Sequence, residues 1–455
     1  MNYHCKPVIF PSSDSPQSGQ VILTPEQSRH LFTKITWRLI PLLFISYIIA
    51  YIDRINIGFA KLQLPEVLGV DPNVFGSIYG LGAGLFFIGY FLFEVPSNLI
   101  MQRVGARLWI ARIMIVWGLV AMTMMFISSK TGFYLVRFLL GVAEAGFYPG
   151  VILFLTYWYP AKERARTVAL FASGAVLAGI LGSPLSGAIL DLHGKGGLAG
   201  WQWLFLLEGI PAVVMGLVVL FALPDRPSKV RWLSADEKTW IQSRLDEEAA
   251  RLKGQAHFRL SEAFSSGRVW LLCLIYFLLN VGGYGFEMWL PTIIKEFYEI
   301  NFTMVGLINA IPYIAAMIVM LLAGNHSDRT GERRWHIAVA AASSALGFVL
   351  SAYLHNPYLA MAALTLAFVG LKSTMGPFWA LGTTFLSGTA AAGGIALINS
   401  VGNLGGFAGP MLVGIITDRT GSTSASLLVL GSALMLMGLL VLTIRRIIVH
   451  SGDYH

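Results

Sequence analysis

Residues 42–60 read LLFISYIIAYIDRINIGFA. The stretch opens as an oily helix, sets Asp53 beside Arg54, and returns to Ile and Phe. About 20 apolar residues cross the roughly 30 Å hydrocarbon layer of a bilayer. This run is therefore long enough to span, and its two charges stand where charge is expensive. Working outward, the same kind of run recurs. In the first half of the chain the runs fall near 36–62, 75–100, 108–128, 131–158, 166–190 and 201–223. In the second half they fall near 268–294, 303–325, 335–355, 358–385, 393–417 and 423–445. Of the 455 residues 56% are hydrophobic and 12% charged, against about 25% charged in soluble domains. The chain reads as an all-α polytopic membrane protein with 12 transmembrane helices. Pro and Gly inside the runs are compatible with this, because neighbouring helices re-satisfy the freed backbone groups.

The basic residues orient the spans. With the N-terminus in the cytoplasm, 24 of the 32 Lys and Arg fall on the cytoplasmic side and five on the other. Both termini are expected inside, and the net charge of +8 needs no nucleic acid to explain it. The loop near 387–393 is the weak point, since it carries no charge. Residues 1–30 are polar and lack the basic-then-apolar pattern of a signal peptide, so they read as a cytoplasmic tail. Cys5 and Cys273 lie far apart, which suggests no disulfide framework. No histidine falls deep in a span, and no metal-ligand spacing, phosphate-cradling loop or nucleophile motif is present. The chemistry expected is that of a carrier, not of an enzyme, without cofactor or metal.

Residues 225–267 form the one long polar interruption, with SADEKTWIQSRLDEEAARLK (234–253) as an amphipathic helix opened by a capping Ser or Asp. They divide a bundle over 31–224 from a bundle over 268–446, and 447–455 form the second cytoplasmic tail. The halves echo each other. QRVGARLW (102–109) follows span 2, and SDRTGERRW (327–335) follows span 8. GSPLSGAILDLHG (182–194) ends span 5, and AGPMLVGIITDRTG (408–421) ends span 11. Matching phrases at matching spans indicate a duplicated six-helix unit, the plan of transporters whose halves rock around a midplane site.

Six plus six spans, a long central loop and SDRTGERR resemble the major facilitator superfamily. YIDRINIGFAKLQL (51–64), GYFLFEVPSNLIMQRVGARLWIAR (89–112), RFLLGVAEAGFYPGVILFLTYWYP (137–160), MWLPTIIK (288–295) and GPFWALGTTFLSGTAAAGGIALINSVGNLGGFAGP (376–410) resemble its anion:cation symporter family. That family carries tartrate, phthalate, hydroxyphenylacetate, nicotinate and sugar acids. The resemblance implies two pseudo-symmetric six-helix bundles, a bacterial inner-membrane location, a monomer, and proton-coupled import of a small organic anion. It also implies proton coupling by Asp53 and Glu144 and anion binding by Arg54.

The intramembrane charges support the same reading independently. At 100° per residue Tyr47, Tyr51, Arg54 and Gly58 share one face of span 1 and form a polar slot. Arg stays charged when buried and grips carboxylates with a two-pronged fork, so Arg54 either binds substrate or locks helices. Asp53 points about 100° away, toward a neighbouring helix. In span 4 Arg137, Gly141, Glu144 and Tyr148 are spaced to share a face, with Glu144 about 20 Å deep from the outer side. A carboxylate there is costly to keep ionised, the property a proton carrier needs. Arg137 reads as a structural or coupling partner of Glu144 or Asp53. Tyr90, with Tyr79 and Phe86, forms either an aromatic pocket wall or ordinary packing. Glu94 reads as a gate or packing acid, Glu208 as a structural bond, and Glu287 as a gate beside a flexible NVGGYGFEMWLP (280–291); Asn280 and Tyr284 are weaker pocket candidates. Phe378 and Trp379 follow a Gly-Pro break in span 10. Asn399 and Asn403 share a face of span 11 and bind either substrate or another helix. Lys372, near mid-depth in span 10, either neutralises an acid such as Glu287 or grips a second carboxylate, which would favour a dicarboxylate. Ala175, in FASGAVLAG (171–179), tilts the reading away from a sugar acid. Two alternatives stay open: an exporter of drugs or metabolites, and a non-transporting nutrient sensor, against which the short tails count.

Overall fold

The computed structural model describes residues 23–254, 265–385 and 388–444. Cys5, Ser387 and the C-terminal tail from residue 445 lie outside them. Twelve helices are long and apolar enough to cross a membrane, and no strand occurs among the described residues. Spans 1 to 6 run Pro25–Ala60, Phe75–Val104, Ala106–Phe126, Lys130–Thr156, Ala161–Leu190 and Gly200–Ala222. Spans 7 to 12 run Gly267–Glu287, Phe302–Thr330, Arg334–Tyr353, Pro357–Gly382, Gly394–Thr420 and Thr423–Thr443. The even number puts both ends of the chain on one face, here the termini face; the other is the far face.

The duplication appears in the packing. Span 1 packs on spans 5 and 6, span 2 on span 4, and span 3 on spans 4 and 6. Each pairing returns six spans later: span 7 on 11 and 12, span 8 on 10, span 9 on 10 and 12. The halves meet along two seams, span 2 against span 11 and span 5 against span 8. Glycine makes these approaches possible. A Cβ on Gly80 would sit 2.5 Å from the Pro410 carbonyl oxygen, and one on Gly84 2.7 Å from the Phe407 ring. Small residues at the contact let helix backbones close to van der Waals distance, the main source of helix association in lipid. The outward faces stay apolar, with Leu92, Leu119, Ile318 and Leu439 about half exposed. Trp37, Trp335, Tyr353 and Tyr358 stand exposed toward span ends, where amphipathic rings suit the headgroup level.

Four spans are interrupted, two near mid-span and two toward the far face. Span 1 turns at Asn56, span 4 at Ala145–Gly146, span 7 after Glu287 and span 11 at Leu404. Gly146 has φ +88°, a left-handed conformation that glycine adopts without strain. The break corrects one expectation: Tyr148 lies in a new helix, Phe147–Thr156, and does not continue the face of Arg137 and Glu144. In span 7 the break comes just after Glu287, inside the stretch 280–291 expected to be flexible.

The first helix starts at Pro25, inside the stretch read as tail. Thr24 and Gln27 cap it reciprocally, and proline suits the first helical position. Its early turns rest on the connecting helix Ala235–Gly254. Phe32 packs 5.9 Å from Trp240, and Lys34 pairs with Glu237 at 3.0 Å. Ser234 and Glu237 cap that helix as the sequence predicts. Its Glu248 accepts from the Ala161 amide and from Arg164, which ties it to the start of span 5.

Candidate functional site

The break in span 1, at Asn56, follows closely on its charged pair. Asp53 and Arg54 do not bond each other; the helix points them to opposite networks. Arg54 Nη2 ion-pairs with Glu144 Oε1, the last residue before the break in span 4, and Nη1 donates to the Tyr284 hydroxyl of span 7 at 3.3 Å. The guanidinium carbon lies 5.9, 5.3 and 5.6 Å from the ring centres of Tyr51, Phe86 and Tyr90. This aromatic box orients a planar cation. The Arg54 side chain keeps 12% of its surface open, whereas Glu144 keeps 1%. The cation therefore faces the pocket with its acid sealed behind it. Tyr47 continues the wall, stacked 4.6 Å from Phe171 and 5.3 Å from Tyr148.

Asp53 heads a second network. It accepts from the Trp117 indole at 2.6 Å and from Asn56 at 3.1 Å. Asn56 also donates to Glu208 at 2.9 Å, and Ser186 donates to the other Glu208 oxygen at 2.7 Å. One chain of bonds thus links spans 3, 1, 6 and 5. Glu208 makes the structural bond expected of it. Asn56 and Trp117 escaped sequence reasoning, because an amide and an indole carry no charge to mark them in an apolar run. Arg137 is fully buried, donates to the Gly82 and Ala83 carbonyls at 3.4 Å, and lies 5.2 Å from the Phe86 ring. It makes no ion pair with Glu144 or Asp53 here.

The second half supplies the facing wall. Lys372 Nζ lies 2.5 Å from Glu287 Oε1 and 3.4 Å from the Tyr51 hydroxyl. Tyr51 donates to Glu287 Oε2 at 2.9 Å across the halves. Of the two readings of Lys372, this geometry contains the neutralising one. Trp379 stands edge-on to Tyr276 at 5.0 Å, beside Phe378. Asn399 donates to Glu94 Oε1 at 2.9 Å and Ser400 to Oε2 at 3.3 Å, so Glu94 joins spans 2 and 11. Asn403 is half-buried at the end of the same helix. Asn280 donates to the Gly402 carbonyl and packs span 7 on span 11. Gly58 admits the Met288 backbone, 2.8 Å from where its Cβ would be, so it shapes a contact between halves and not a slot. Tyr79 leaves the expected wall with Phe86 and Tyr90: its hydroxyl donates to the Met288 carbonyl and its ring meets Trp289.

The far-face end holds two caps, made by aspartates of the phrases that end spans 5 and 11. Asp418 accepts from the Gly76 and Ser77 amides at the start of span 2, at 2.8 and 2.7 Å. Asp191 accepts from the Phe302 and Thr303 amides at the start of span 8, at 3.3 and 2.9 Å. These are the aspartates of the matching ILD and ITD phrases, and each caps a helix of the opposite half. Lys61 is buried over the Trp289 ring at 3.1 Å and donates to Thr292.

Residues 43–410 match the Major Facilitator Superfamily profile. The chain belongs to the major facilitator superfamily. This member is 47% identical over 425 residues to a putative tartrate transporter of Agrobacterium vitis, covering 93% of each chain. It is 44% identical to a quinolone resistance transporter of Acinetobacter baumannii, covering 90% of this chain and 93% of that one. Its fold matches the crystal structure of a bacterial homologue of the human lysosomal transporter Spinster, with TM-score 0.70 at 16% identity over 91% of this chain and 95% of that one. Its relatives are transporters, and it is a multi-pass membrane protein that handles a small molecule.

Proposed function

We propose that this superfamily member imports a small organic carboxylate by proton symport, as a monomer in a bacterial inner membrane with both termini cytoplasmic. The observation that carries the reading is Arg54: a guanidinium boxed by three aromatic rings, open to the pocket, and neutralised by Glu144 from behind. Arg54 carries one positive charge, which neutralises either Glu144 or a substrate carboxylate but not both. A proton taken by Glu144 releases the arginine, the substrate carboxylate replaces it, and the site stays neutral. Once the substrate leaves, Glu144 gives up its proton and pairs with Arg54 again. Asp53 carries the second proton, and Asn56, which donates to both Asp53 and Glu208, tells spans 5 and 6 whether it is charged. Tyr47, Tyr51, Tyr90 and Trp379 line the slot, and Asn399 and Asn403 reach the substrate when Glu94 lets go.

Purified protein in proteoliposomes tests this. Labelled tartrate, phthalate, hydroxyphenylacetate, nicotinate, galactonate and glucarate are offered with and without an inward proton gradient. Accumulation of one acid above its equilibrium level, abolished by a protonophore, is the expected result. The relative named for quinolone resistance favours one other reading, an exporter. Folded protein that accumulates none of the acids but moves a quinolone against its gradient would establish that reading instead.

A further inference from the structure

The duplication places charge in a pattern that one substrate carboxylate does not use. Tyr51 and Arg54 stand three apart in span 1; Tyr284 and Glu287 stand three apart in span 7, its counterpart. The contacts cross. Tyr284 bonds Arg54, and Tyr51 bonds Glu287. Each half also closes an ion pair between its first and fourth spans, Arg54 with Glu144 and Glu287 with Lys372. The signs are exchanged: the cation is on the first span of one half and on the fourth span of the other. In both pairs the cation keeps about a tenth of its side chain open, 12% for Arg54 and 10% for Lys372, while the acid keeps 1%. Both cations flank one ring, with Arg54 Cζ 5.9 Å and Lys372 Nζ 5.7 Å from the centre of Tyr51.

The geometry points to Lys372 as a second anion anchor, so that the substrate is a short dicarboxylate held between Arg54 and Lys372, with Glu287 occupying the second carboxylate's seat in the empty protein. This rests on the carboxylate reading above and adds the class of acid. A buried ion pair is a poor stabiliser, since well-packed apolar residues often replace it without loss. A lysine kept only to neutralise Glu287 would have no reason to be the more open partner. Two cations beside one ring repel each other in a low-dielectric pocket. Two internal acids quench that repulsion in the empty state, and a single dianion quenches it in the loaded one, with Glu144 and Glu287 each holding a proton. Tyr51 and Tyr284 then offer their hydroxyls to the same ligand from opposite halves.

The test is equilibrium binding of labelled L-tartrate to protein in lipid nanodiscs, with competition by its half-amide, tartramate, which has one carboxylate fewer. Wild-type protein should prefer tartrate by about 100-fold, the usual consequence of one well-paired buried charge. Lys372→Met should collapse that ratio to near one. Lys372→Met with Glu287→Gln leaves no stranded acid and should collapse it equally, so a folding defect in the single variant does not decide the matter. Lys372→Arg should keep the preference. Equal affinity for both acids in the wild type, or a proportionate loss of both in the double variant, would overturn the second anchor alone. Folded wild-type protein that binds neither acid, nor any other acid of the panel above, would overturn the carboxylate reading and this one with it.

Discussion

Arg54 does two things at once that lysine cannot. Its planar fork reaches Glu144 and Tyr284 together, and its face lies among three rings. A lysine ammonium keeps the charge but loses the fork and the stacking. Arg54→Lys is therefore expected to weaken carboxylate binding by about 100-fold while the protein stays folded, as read by isothermal titration beside a thermal unfolding scan. That Arg54 matters was legible in the sequence, because an unavoidable cation in an oily run needs a purpose. Which acid it meets was not. Asp53 is adjacent in the chain, yet the helix turns it to Trp117 and Asn56, and the partner comes from span 4, 90 residues on. Lys61 was legible only as one of the five basic residues on the far side, and the tertiary approach of Trp289 that covers it was not.

Among the elements, helix ends carry the conformational information. Asp418 and Asp191 each cap the first turn of a helix in the opposite half, so both caps exist only while the far-face seams are closed. Replacing a charged cap costs about 1 kcal/mol. With a cysteine in place of Ser183, which is fully buried where Asn309 crosses from span 8, an impermeant thiol reagent should label from the far face. Asp418→Asn is expected to raise labelling about 5-fold, and adding Asp191→Asn should raise it further. The connecting helix depends on pH at its first turn. Burial works against the charge of Glu237, but the Ser234 amide and the Lys34 ammonium outweigh it, so its carboxyl is held below the usual range. A depressed acid contributes its stability above the unfolded value of about 4.3 and loses it as pH falls through the folded one. The protection factor of the amides in the first turn of that helix, which corrects exchange for its intrinsic pH dependence, should be flat from about pH 5 to 8 and fall below about pH 4. The helix and its cap were legible as a motif; its clamp on Phe32 and Lys34 was not, because a surface-to-surface contact leaves no period in either segment. The breaks at Asn56 and Leu404 were equally silent, since membrane helices carry Gly and Asn without breaking too; the one after Glu287 falls in the stretch that the sequence marks as flexible.

For the whole molecule, hydropathy and repeated phrases were enough to read twelve spans and a duplication. The pocket needed three dimensions, because its charges come from spans 1, 4, 7 and 10, and while each ion pair stays within one half, the tyrosine bonds that join them cross between halves. The cycle these charges drive separates net transport from exchange. A carrier whose acid no longer titrates can shuttle loaded but cannot return with its proton balance reset. Glu144→Gln is expected to lower gradient-driven uptake at least about 10-fold while counterflow of labelled for unlabelled substrate persists, measured in the same vesicles. Counterflow lost in parallel with uptake would assign Glu144 to binding alone.

The glycines of the two seams carry a genetic consequence. Every glycine codon begins with the same two bases, and changing either one installs a side chain or a stop. At Gly80 and Gly84 the smallest such side chain already meets backbone or ring. In a selection for survival on a toxic carboxylate analogue, resistant missense alleles should therefore collect along spans 2, 5, 8 and 11, well away from Arg54. The proteins they encode would be made in full, inserted and able to bind, yet fixed open on one side. Their suppressors should map to the facing helix, with a smaller residue in place of Phe407 as the expected answer to Gly84→Ala.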